Sequence, residues 1–200
     1  MIDHAIIKDN FLEDPLPAKL RDLALGMRFA SSIEGIYSGC RTQDIKHSHK
    51  FLYNNICKKI LNLYNVNMRD YGATMYFHIT EGRFGSSGWV HKDSPCSLAS
   101  IIYLNPHVNN IECGTSLYNV DTTAQNIGDA SMMRKSFIDG KDYVKEKEEY
   151  NSHFIKTATI GGVFNRMVSY PGSVHHAGEG YFGNDVSDSR LTLLTFFHKK

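Results

Sequence analysis

The pattern of apolar and polar positions divides the chain into a helical first third and a strand-rich remainder. Asp14-Pro15 precedes a leucine-rich segment, Leu16–Phe29, and an acidic residue followed by proline is a helix-start signal. Between Asp44 and Tyr64 apolar residues recur at helical spacing, so a second helix is predicted there, with Asp44 as its N-cap. These two helices are the only long ones that the first 66 residues predict.

After Asn67 the chain consists of short segments rich in β-branched and aromatic residues, separated by Gly, Pro, Asn and Asp. This punctuation predicts an antiparallel double-sheet barrel with the helices packed on one outer face. A single domain is expected over residues 1–200, with helical support over about 1–66 and the barrel over about 67–200. A mixed-charge segment, 134–150, is expected to form an inserted helix or a lid. The predicted strands are Ala73–Ile79, Trp89–Asp93, Ser97–Leu104, Ser116–Val120, Arg166–Tyr170 and Arg190–Phe197.

Composition narrows the function classes. Hydrophobic residues make up 42% of the chain and the formal net charge is +1, which is unlike a strongly basic nucleic-acid binder or an acidic disordered tail. The sequence contains no run of 18 or more apolar residues, so no membrane span is predicted. The first ten residues lack a secretory-signal pattern. The four cysteines show no CxxC spacing, so we expect reduced thiols in a cytoplasmic protein.

A possible metal site begins at His91-Lys92-Asp93. About 0.65 such His-x-Asp pairs are expected by chance in 200 residues with ten histidines and 13 aspartates, so the context of the pair matters. The pair follows a glycine-rich loop and Trp89-Val90, which favours a strand, where residues i and i+2 point to the same side. One imidazole and one carboxylate are two thirds of the facial triad that binds non-haem Fe(II). The remaining ligand would come from His175 or His176, and the residue pattern alone allows either.

A possible anion site follows at Arg190-Leu191-Thr192. Arg190 and Thr192 share one strand face, and the apolar residues after them predict a core strand. A guanidinium is the natural bidentate partner of a carboxylate, and a charge-assisted bond of about 1.5–3 kcal/mol suffices to select a dicarboxylate over a monocarboxylate. The two side chains are therefore expected to point together into the barrel.

The order His-x-Asp, distal His and Arg-x-Thr resembles the Fe(II)/2-oxoglutarate-dependent oxygenase superfamily. It is most similar to the prolyl-4-hydroxylase-like branch, including compact forms from marine microbes and their phages. The resemblance implies a mainly β fold, the double-stranded β-helix, a jelly-roll or cupin-like antiparallel barrel. Four further segments carry it in the family's order between residues 9 and 198: Asp9–Pro15, Ser100–Asn105, Cys113–Tyr118 and Asn165-Arg166.

The resemblance also implies roles for particular residues. An aromatic–His pair of the family maps onto His175-His176, which assigns His176 as the third metal ligand. The implied cofactors are Fe(II), 2-oxoglutarate as cosubstrate and O₂, with ascorbate as a possible reductant. The implied catalytic and metal-binding residues are His91, Asp93 and His176, and the implied residues for the 2-oxoglutarate tail are Arg190, Thr192 and Tyr103.

The expected activity is a dioxygenase, in particular a hydroxylase of a peptidyl proline, an amino acid or a small metabolite. Substrate oxidation would be coupled to decarboxylation of 2-oxoglutarate to succinate and CO₂. The family often has Tyr-x-x-Gly before His-x-Asp, where this chain has Ile79; Tyr76 and His78 are the possible replacements. Two alternatives stay open: a cupin-like metal enzyme that does not use 2-oxoglutarate, which would not need Arg190-Leu191-Thr192, and a non-catalytic barrel that binds a ligand. The partner is expected to be a small molecule or a peptide, with nucleic acid and membrane disfavoured and the oligomeric state open.

Overall fold

The structure is a computed structural model that describes residues 2–31, 37–93, 95–107, 111–121 and 143–200. Among these residues the fold is mainly antiparallel β, as predicted. The helices are α1 (Leu16–Leu25), α2 (Ile45–Ser48), α3 (Lys50–Asn62) and α4 (Tyr143–Asn151). The strands are β1 (Ile6–Lys8), β2 (Ala30–Ser31), β3 (Cys40–Arg41), β4 (Tyr71–Thr80), β5 (Leu98–Tyr103), β6 (Thr115–Val120), β7 (Phe154–Ile160), β8 (Met167–Pro171), β9 (His175–Gly178) and β10 (Arg190–Lys199).

The strands form two sheets that pack face to face. The large sheet has the order β1-β8-β5-β10-β4-β3-β2, and the small sheet has the order β7-β6-β9. β10 pairs with β4 over ten residues, from Arg190 opposite Thr80 to Lys199 opposite Tyr71. These two strands are the longest described strands and lie inside the large sheet. Side chains of both sheets, including Leu194 and Ile160, share one apolar cluster between them. The arrangement is an open two-layer sandwich and not a closed barrel.

The helices cover the outer face of the large sheet. Met75, Phe77 and Ile79 alternate along β4 and are fully or almost fully buried. They belong to the same core cluster as Leu20 of α1 and Ile56 of α3. Because neighbouring residues of a strand point to opposite faces, the even-numbered residues of β4 face the small sheet instead. The predicted packing of the N-terminal helices on one face is therefore confirmed.

Local capping explains where the helices differ from their predicted ends. α1 ends at Leu25, and Gly26 is its C-cap, with its N–H still bonded to the Asp22 and Leu23 carbonyls. Asp44 is the predicted N-cap of α2: its carboxylate accepts hydrogen bonds from the backbone N–H of Lys46 (2.9 Å) and of Met75 in β4 (3.2 Å). The second predicted helix is interrupted at His49, whose φ of −132° lies outside the helical range, so it consists of α2 and α3.

The predicted strand Trp89–Asp93 is not present. His91 pairs with His176 as an isolated bridge. Before it, Gly88 N–H bonds to the Gly178 carbonyl of β9 at 2.8 Å, and the next backbone groups bond to a side chain. Asn151 accepts a hydrogen bond from Val90 N–H and donates one to the Gly88 carbonyl, both at 2.9 Å, which uses the backbone groups that a sheet partner would need. The periodicity also missed the strands β7 and β9.

The segment expected to be an inserted helix or lid is described only in part. Residues 134–142 lie outside the described residues, and α4 occupies the rest. None of the helices described has the length and apolar character that crossing a membrane requires.

An asparagine joins the N-terminal segment to the loop before β8. The side chain of Asn165 accepts a hydrogen bond from Leu12 N–H (2.9 Å) and donates one to the Leu12 carbonyl (2.8 Å). Asn165 also has a φ of +59°, in the left-handed region that asparagine tolerates better than most residues. The Asn165 side chain thus forms hydrogen bonds with two backbone groups of Leu12, and the same residue adopts the positive φ that the turn requires.

We expect Asn165→Ala to lower the free energy of unfolding by about 2–4 kcal/mol, because it leaves both buried Leu12 groups unpaired and places alanine at positive φ. Asn65→Ala is the matched control, since Asn65 has a φ of +54° but lies exposed after α3. That variant should lose only about 1 kcal/mol. Urea denaturation of both variants measures the difference, and equal losses would show that the Leu12 hydrogen bonds contribute nothing.

Candidate functional site

The structure brings together His91, Asp93 and His176, the three residues predicted as metal ligands. Nε2 of His91 lies 3.6 Å from one Asp93 carboxylate oxygen, and Nε2 of His176 lies 3.3 Å from the other. All the ligand atoms lie within 4.8 Å of one another. The two histidines are held by paired backbone hydrogen bonds, His91 N–H to the His176 carbonyl (3.0 Å) and His176 N–H to the His91 carbonyl (2.9 Å). The group therefore has the spacing needed to hold one metal ion.

The proton positions on the two imidazoles fit a bound cation. Nδ1 of His91 lies 2.7 Å from the Trp89 carbonyl, and Nδ1 of His176 lies 3.0 Å from the Val174 carbonyl. A carbonyl only accepts, so each Nδ1 carries a proton and donates it, and in a neutral ring Nε2 then presents a lone pair. Two lone pairs and a carboxylate that face one another repel, and a cation between them would remove this repulsion. Two imidazole nitrogens with one carboxylate oxygen are a ligand set that suits non-haem Fe(II).

The Asp93 carboxylate is ionised in this surrounding. Burial raises its pKa, but the positive charge and hydrogen bonds that His176 and His91 supply when protonated have the larger combined effect and hold the pKa well below its usual range; a cation bound between neutral rings would act in the same direction. The side chain is only 15% exposed, so its charge is directed at the two imidazoles and away from solvent. An anionic ligand is thus available at neutral pH.

His175 and His176 point to opposite sides of β9, as strand geometry requires. His176 is 5% exposed and faces Asp93. The ring of His175 packs against Phe154, with centroids 5.1 Å apart, and burial together with the charge of Lys92 lowers its pKa. The structure thus places His176, the residue that the family resemblance assigned, in the cluster and places His175 outside it.

Arg190 is a buried cation at the start of β10, with only 4% of its surface exposed. Its Nη2 donates to the Gly114 carbonyl at 3.0 Å, and its guanidinium carbon lies 5.4 Å from the centre of the Tyr103 ring. Within the described part of the chain no carboxylate pairs with it, and its Nε atom has no hydrogen-bond partner. Because burying an unpaired cation is costly, the position is suited to an anionic ligand.

The other two residues predicted to hold the cosubstrate have different surroundings. The Tyr103 hydroxyl lies 2.7 Å from Oγ1 of Thr115, and burial raises the pKa of Tyr103, so it keeps its proton and can donate. Thr192 is fully buried and its hydroxyl lies 3.4 Å from the His78 carbonyl. Tyr103 therefore lies beside Arg190, whereas Thr192 contacts the backbone of β4.

One cavity of about 760 Å³ contains both the triad and Arg190 in its lining. This volume lies within the usual range for small-molecule sites. Tyr76 and His78, named above as possible replacements for the family tyrosine, both line it. Sequence reasoning missed most of the other lining residues. Alternation along β4 and β10 could have indicated Thr74, Leu194, Phe196 and His198. No periodic signal indicates the others, which include Tyr37, Arg41, Trp89, Ser100 and Tyr181.

His78 is a neutral histidine in the cavity wall. Its Nε2 lies 2.7 Å from the Ser38 carbonyl and must donate to it, and its ring meets Tyr37 edge to face. Burial lowers the pKa of His78 well below its usual value, and the positive charge of Arg41 lowers it further. The native protein therefore keeps this ring uncharged under mildly acidic conditions.

This burial predicts a pH-dependent stability. Below pH 6.5 the unfolded chain protonates His78 while the native state does not, so the free energy of unfolding rises with pH by up to about 1.4 kcal/mol per unit. His78→Gln keeps a donor for Ser38 and should make this slope shallower between about pH 5 and 6.5. Urea denaturation with a metal chelator measures it, and His47→Gln, at an exposed helix position, is the control that should keep the wild-type slope.

Comparison with solved structures shows a fold shared with 2-oxoglutarate oxygenases. A prolyl-4-hydroxylase from Pseudomonas putida superposes with a TM-score of 0.56 at 12% identity, covering 98% of this chain and 92% of that one. HygX from Streptomyces hygroscopicus, solved with nickel and 2-oxoglutarate, gives 0.60 at 8% identity, covering 100% and 84%. The epimerase SnoN from nogalamycin biosynthesis, solved with Fe³⁺, α-ketoglutarate and nogalamycin RO, gives 0.62 at 10%, covering 98% and 79%.

These likenesses confirm the predicted jelly-roll fold and the resemblance to Fe/2-oxoglutarate oxygenases. No curated protein matches the chain in sequence. A family model with the description "Family of unknown function (DUF6445)" matches residues 3–197, almost the whole chain. The chain therefore belongs to the DUF6445 family.

Proposed function

We propose that the chain is an Fe(II)- and 2-oxoglutarate-dependent dioxygenase that acts as a hydroxylase. The proposal rests on the presence of two different binding groups in the lining of one cavity. A two-histidine, one-carboxylate cluster lies at one place, and the buried guanidinium of Arg190, with no carboxylate partner among the described residues, lies at another. A dicarboxylate with a keto group meets both requirements, because one end can chelate a metal and the other can pair with Arg190.

His91, Asp93 and His176 would hold the iron, and their backbone contacts keep them in position. The Trp89 and Val174 carbonyls fix the imidazole tautomers so that both Nε2 atoms are available as ligands. When bound, Fe(II) supplies the chemistry by which O₂ oxidises 2-oxoglutarate to succinate and CO₂ and inserts oxygen into a substrate C–H bond. Ascorbate would serve as an external reductant in the assay.

Arg190 and Tyr103 would hold the far carboxylate of 2-oxoglutarate. The guanidinium provides the charge and a planar set of donors, and the protonated Tyr103 hydroxyl provides a further donor. Thr192 lies next to Arg190 in the alternation of β10, and we propose that it supports this end of the site through its contact with the His78 carbonyl. The carboxylate charge would compensate the buried cation.

Aromatic side chains form the walls around the metal ligands. The Tyr170 ring lies 4.5 Å from the His176 ring, and Trp89 packs on Tyr150 at 5.3 Å. Burial raises the pKa of Tyr170 well above its usual value, so this wall carries no phenolate charge near Asp93. Such walls limit water around the reacting groups, which strengthens the electrostatic contacts inside the cavity.

The two other functions are less well supported by these contacts. A cupin-like metal enzyme without 2-oxoglutarate would gain nothing from Arg190 facing its cavity, and a binding module would not need two histidines fixed with their lone pairs inward. The substrate would be a small molecule or a peptide, with a peptidyl proline, an amino acid and a small metabolite as its classes. The four cysteines are free, which supports the expectation of a cytoplasmic protein.

We expect His176→Ala to abolish 2-oxoglutarate turnover and to weaken Fe(II) binding at least tenfold, because it removes one of three ligands. His175→Ala is the matched control: it removes the neighbouring imidazole but not a ligand, and it should keep measurable turnover. Succinate release with Fe(II) and ascorbate gives turnover, and anaerobic titration of the visible band of the Fe(II)–2-oxoglutarate complex gives binding. The opposite order of the two variants would contradict the assignment.

Arg190→Lys should lower 2-oxoglutarate affinity at least tenfold while metal binding persists, because lysine keeps the charge but loses the planar pair of donors. Arg166→Lys is the control, since Arg166 is paired with Asp9 outside the cavity and should leave the affinity unchanged. Calorimetry with Mn(II)-loaded protein measures both affinities without turnover. Unchanged affinity in Arg190→Lys would remove Arg190 as the anchor.

A further inference from the structure

The loop before the first candidate metal ligand is held by one face of α4. Lys147 Nζ donates a hydrogen bond to the Phe84 carbonyl at 2.9 Å. One turn later, Asn151 accepts a hydrogen bond from Val90 N–H and donates one to the Gly88 carbonyl, both at 2.9 Å. Residues four apart lie on the same side of a helix, so both side chains reach the loop from one direction.

The hydrogen bond from Val90 N–H fixes a complete peptide group. This N–H and the Trp89 carbonyl belong to one planar trans unit, in which the two groups point in opposite directions. The Trp89 carbonyl lies 2.7 Å from Nδ1 of His91, which donates to it. The Asn151 amide and the His91 imidazole therefore bind opposite sides of the same peptide group, and the orientation of that group determines where His91 can place its Nδ1 proton.

The second histidine of the candidate site uses the same type of contact with a different support. Nδ1 of His176 lies 3.0 Å from the Val174 carbonyl, which is also two residues earlier in the chain. The residue between them, His175, is paired with Tyr118 of β6, so a strand ladder supports this backbone. On the His91 side, where the backbone forms an isolated bridge, a side-chain amide takes the place of a strand.

The hydrogen bonds form a chain that ends at a ligand atom. Asn151 Oδ1 accepts from Val90 N–H, and the carbonyl of the same peptide group accepts from His91 Nδ1. Successive hydrogen bonds polarise one another, and a carbonyl bonded to the Nδ1 proton makes Nε2 a stronger metal ligand. Loss of the Asn151 amide would therefore affect Nε2 in two ways, because the peptide group could turn and the hydrogen bond at Nδ1 would weaken.

We propose that Asn151 is a positioning residue for the metal site, and that it sets the orientation and tautomer of His91 through the Trp89–Val90 peptide group. Asn151 is not one of the residues that line the cavity, so it acts through His91 and not on a bound ligand. This inference rests on the proposed function, because it takes His91 as a ligand of the iron.

The test measures Co(II) binding to the full chain without 2-oxoglutarate, by titration and by the visible d–d spectrum. Co(II) accepts nitrogen and oxygen ligands as Fe(II) does, and its spectrum depends on the number and geometry of those ligands. Asn151→Ala removes both hydrogen bonds of the amide. It should weaken Co(II) binding by about tenfold and change the spectrum, because His91 loses its fixed orientation. Unchanged affinity and spectrum in this variant would overturn the proposal.

Asn151→Asp separates the two hydrogen bonds of the amide. The carboxylate still accepts from Val90 N–H but no longer donates to the Gly88 carbonyl. Because the proposed route to His91 runs through Val90, this variant should bind Co(II) within about threefold of wild type and keep the wild-type spectrum. A changed spectrum in Asn151→Asp would overturn that route, and this result decides the matter if Asn151→Ala does not fold.

Lys147→Met is the matched control, because it removes another hydrogen bond between the same helix face and the same loop. Lys147 is buried, and methionine keeps most of its packing. Its hydrogen bond ends at Phe84, outside the route to His91, so Co(II) affinity should stay within about twofold of wild type with an unchanged spectrum. A loss as large as that of Asn151→Ala would mean that any loosening of the loop weakens the site, and the specific role of Asn151 would be overturned.

Hydrogen exchange in the metal-free protein separates this inference from the function it rests on. The His91 N–H, which bonds to the His176 carbonyl, should exchange about tenfold faster in Asn151→Ala than in Lys147→Met. If wild-type protein binds no Co(II), the proposed dioxygenase function is wrong, and the exchange rates alone decide whether Asn151 holds His91. Equal rates in the two variants would overturn the inference.

Discussion

The candidate site depends on the pair of backbone hydrogen bonds between His91 and His176. These bonds join a loop to the beginning of strand β9, so two imidazoles that are 85 positions apart in the sequence lie with ring centres 4.4 Å apart. Asn151 of α4 holds the loop from the other side through Gly88 and Val90. The position of the candidate metal-ligand cluster is therefore set by main-chain hydrogen bonds and by the side-chain amide of Asn151. The two imidazoles then present their Nε2 atoms as ligands when the proton is on Nδ1.

The large sheet separates folding from chemistry by strand alternation. On β4 and β10, one set of alternate residues packs against the helices and is almost fully buried, as Phe77 and Leu193 show. The other set faces the small sheet and includes His78 and Arg190 in the cavity wall. Because the two sets point in opposite directions, the polar groups of the cavity do not interrupt the apolar core that supports them.

The sequence predicted the regular, periodic parts of the fold and the ordered motifs of the site. Content of β-branched and aromatic residues between turn residues predicted the strands that are β4, β5 and β10, and the cap at Asp44 was correct. The Trp89–Asp93 segment was wrongly predicted as a strand because the sequence does not show that Val90 N–H bonds to the side chain of Asn151, 61 residues later, or that His91 forms only an isolated bridge to His176. Arg41 of the cavity lining was missed because β3 has two residues, too few for any period, and reaches the cavity wall by pairing with β4.

The position of Arg190 shows how this fold favours a ligand. A guanidinium that is 4% exposed and bonded to the Gly114 carbonyl, with no carboxylate partner in the described part of the chain, lowers the stability of the ligand-free protein. The Tyr103 and Tyr181 rings, with centres 5.4 and 5.8 Å from the guanidinium carbon, recover only part of that loss, since a cation–π contact is weaker than a charge-assisted hydrogen bond. An anion that pairs with Arg190 restores the missing interaction, so part of its binding free energy comes from relieving a defect already present in the protein. Ligands without a suitably placed carboxylate cannot do this, so the proposed selectivity for an acid at this end of the cavity would follow from the burial of Arg190.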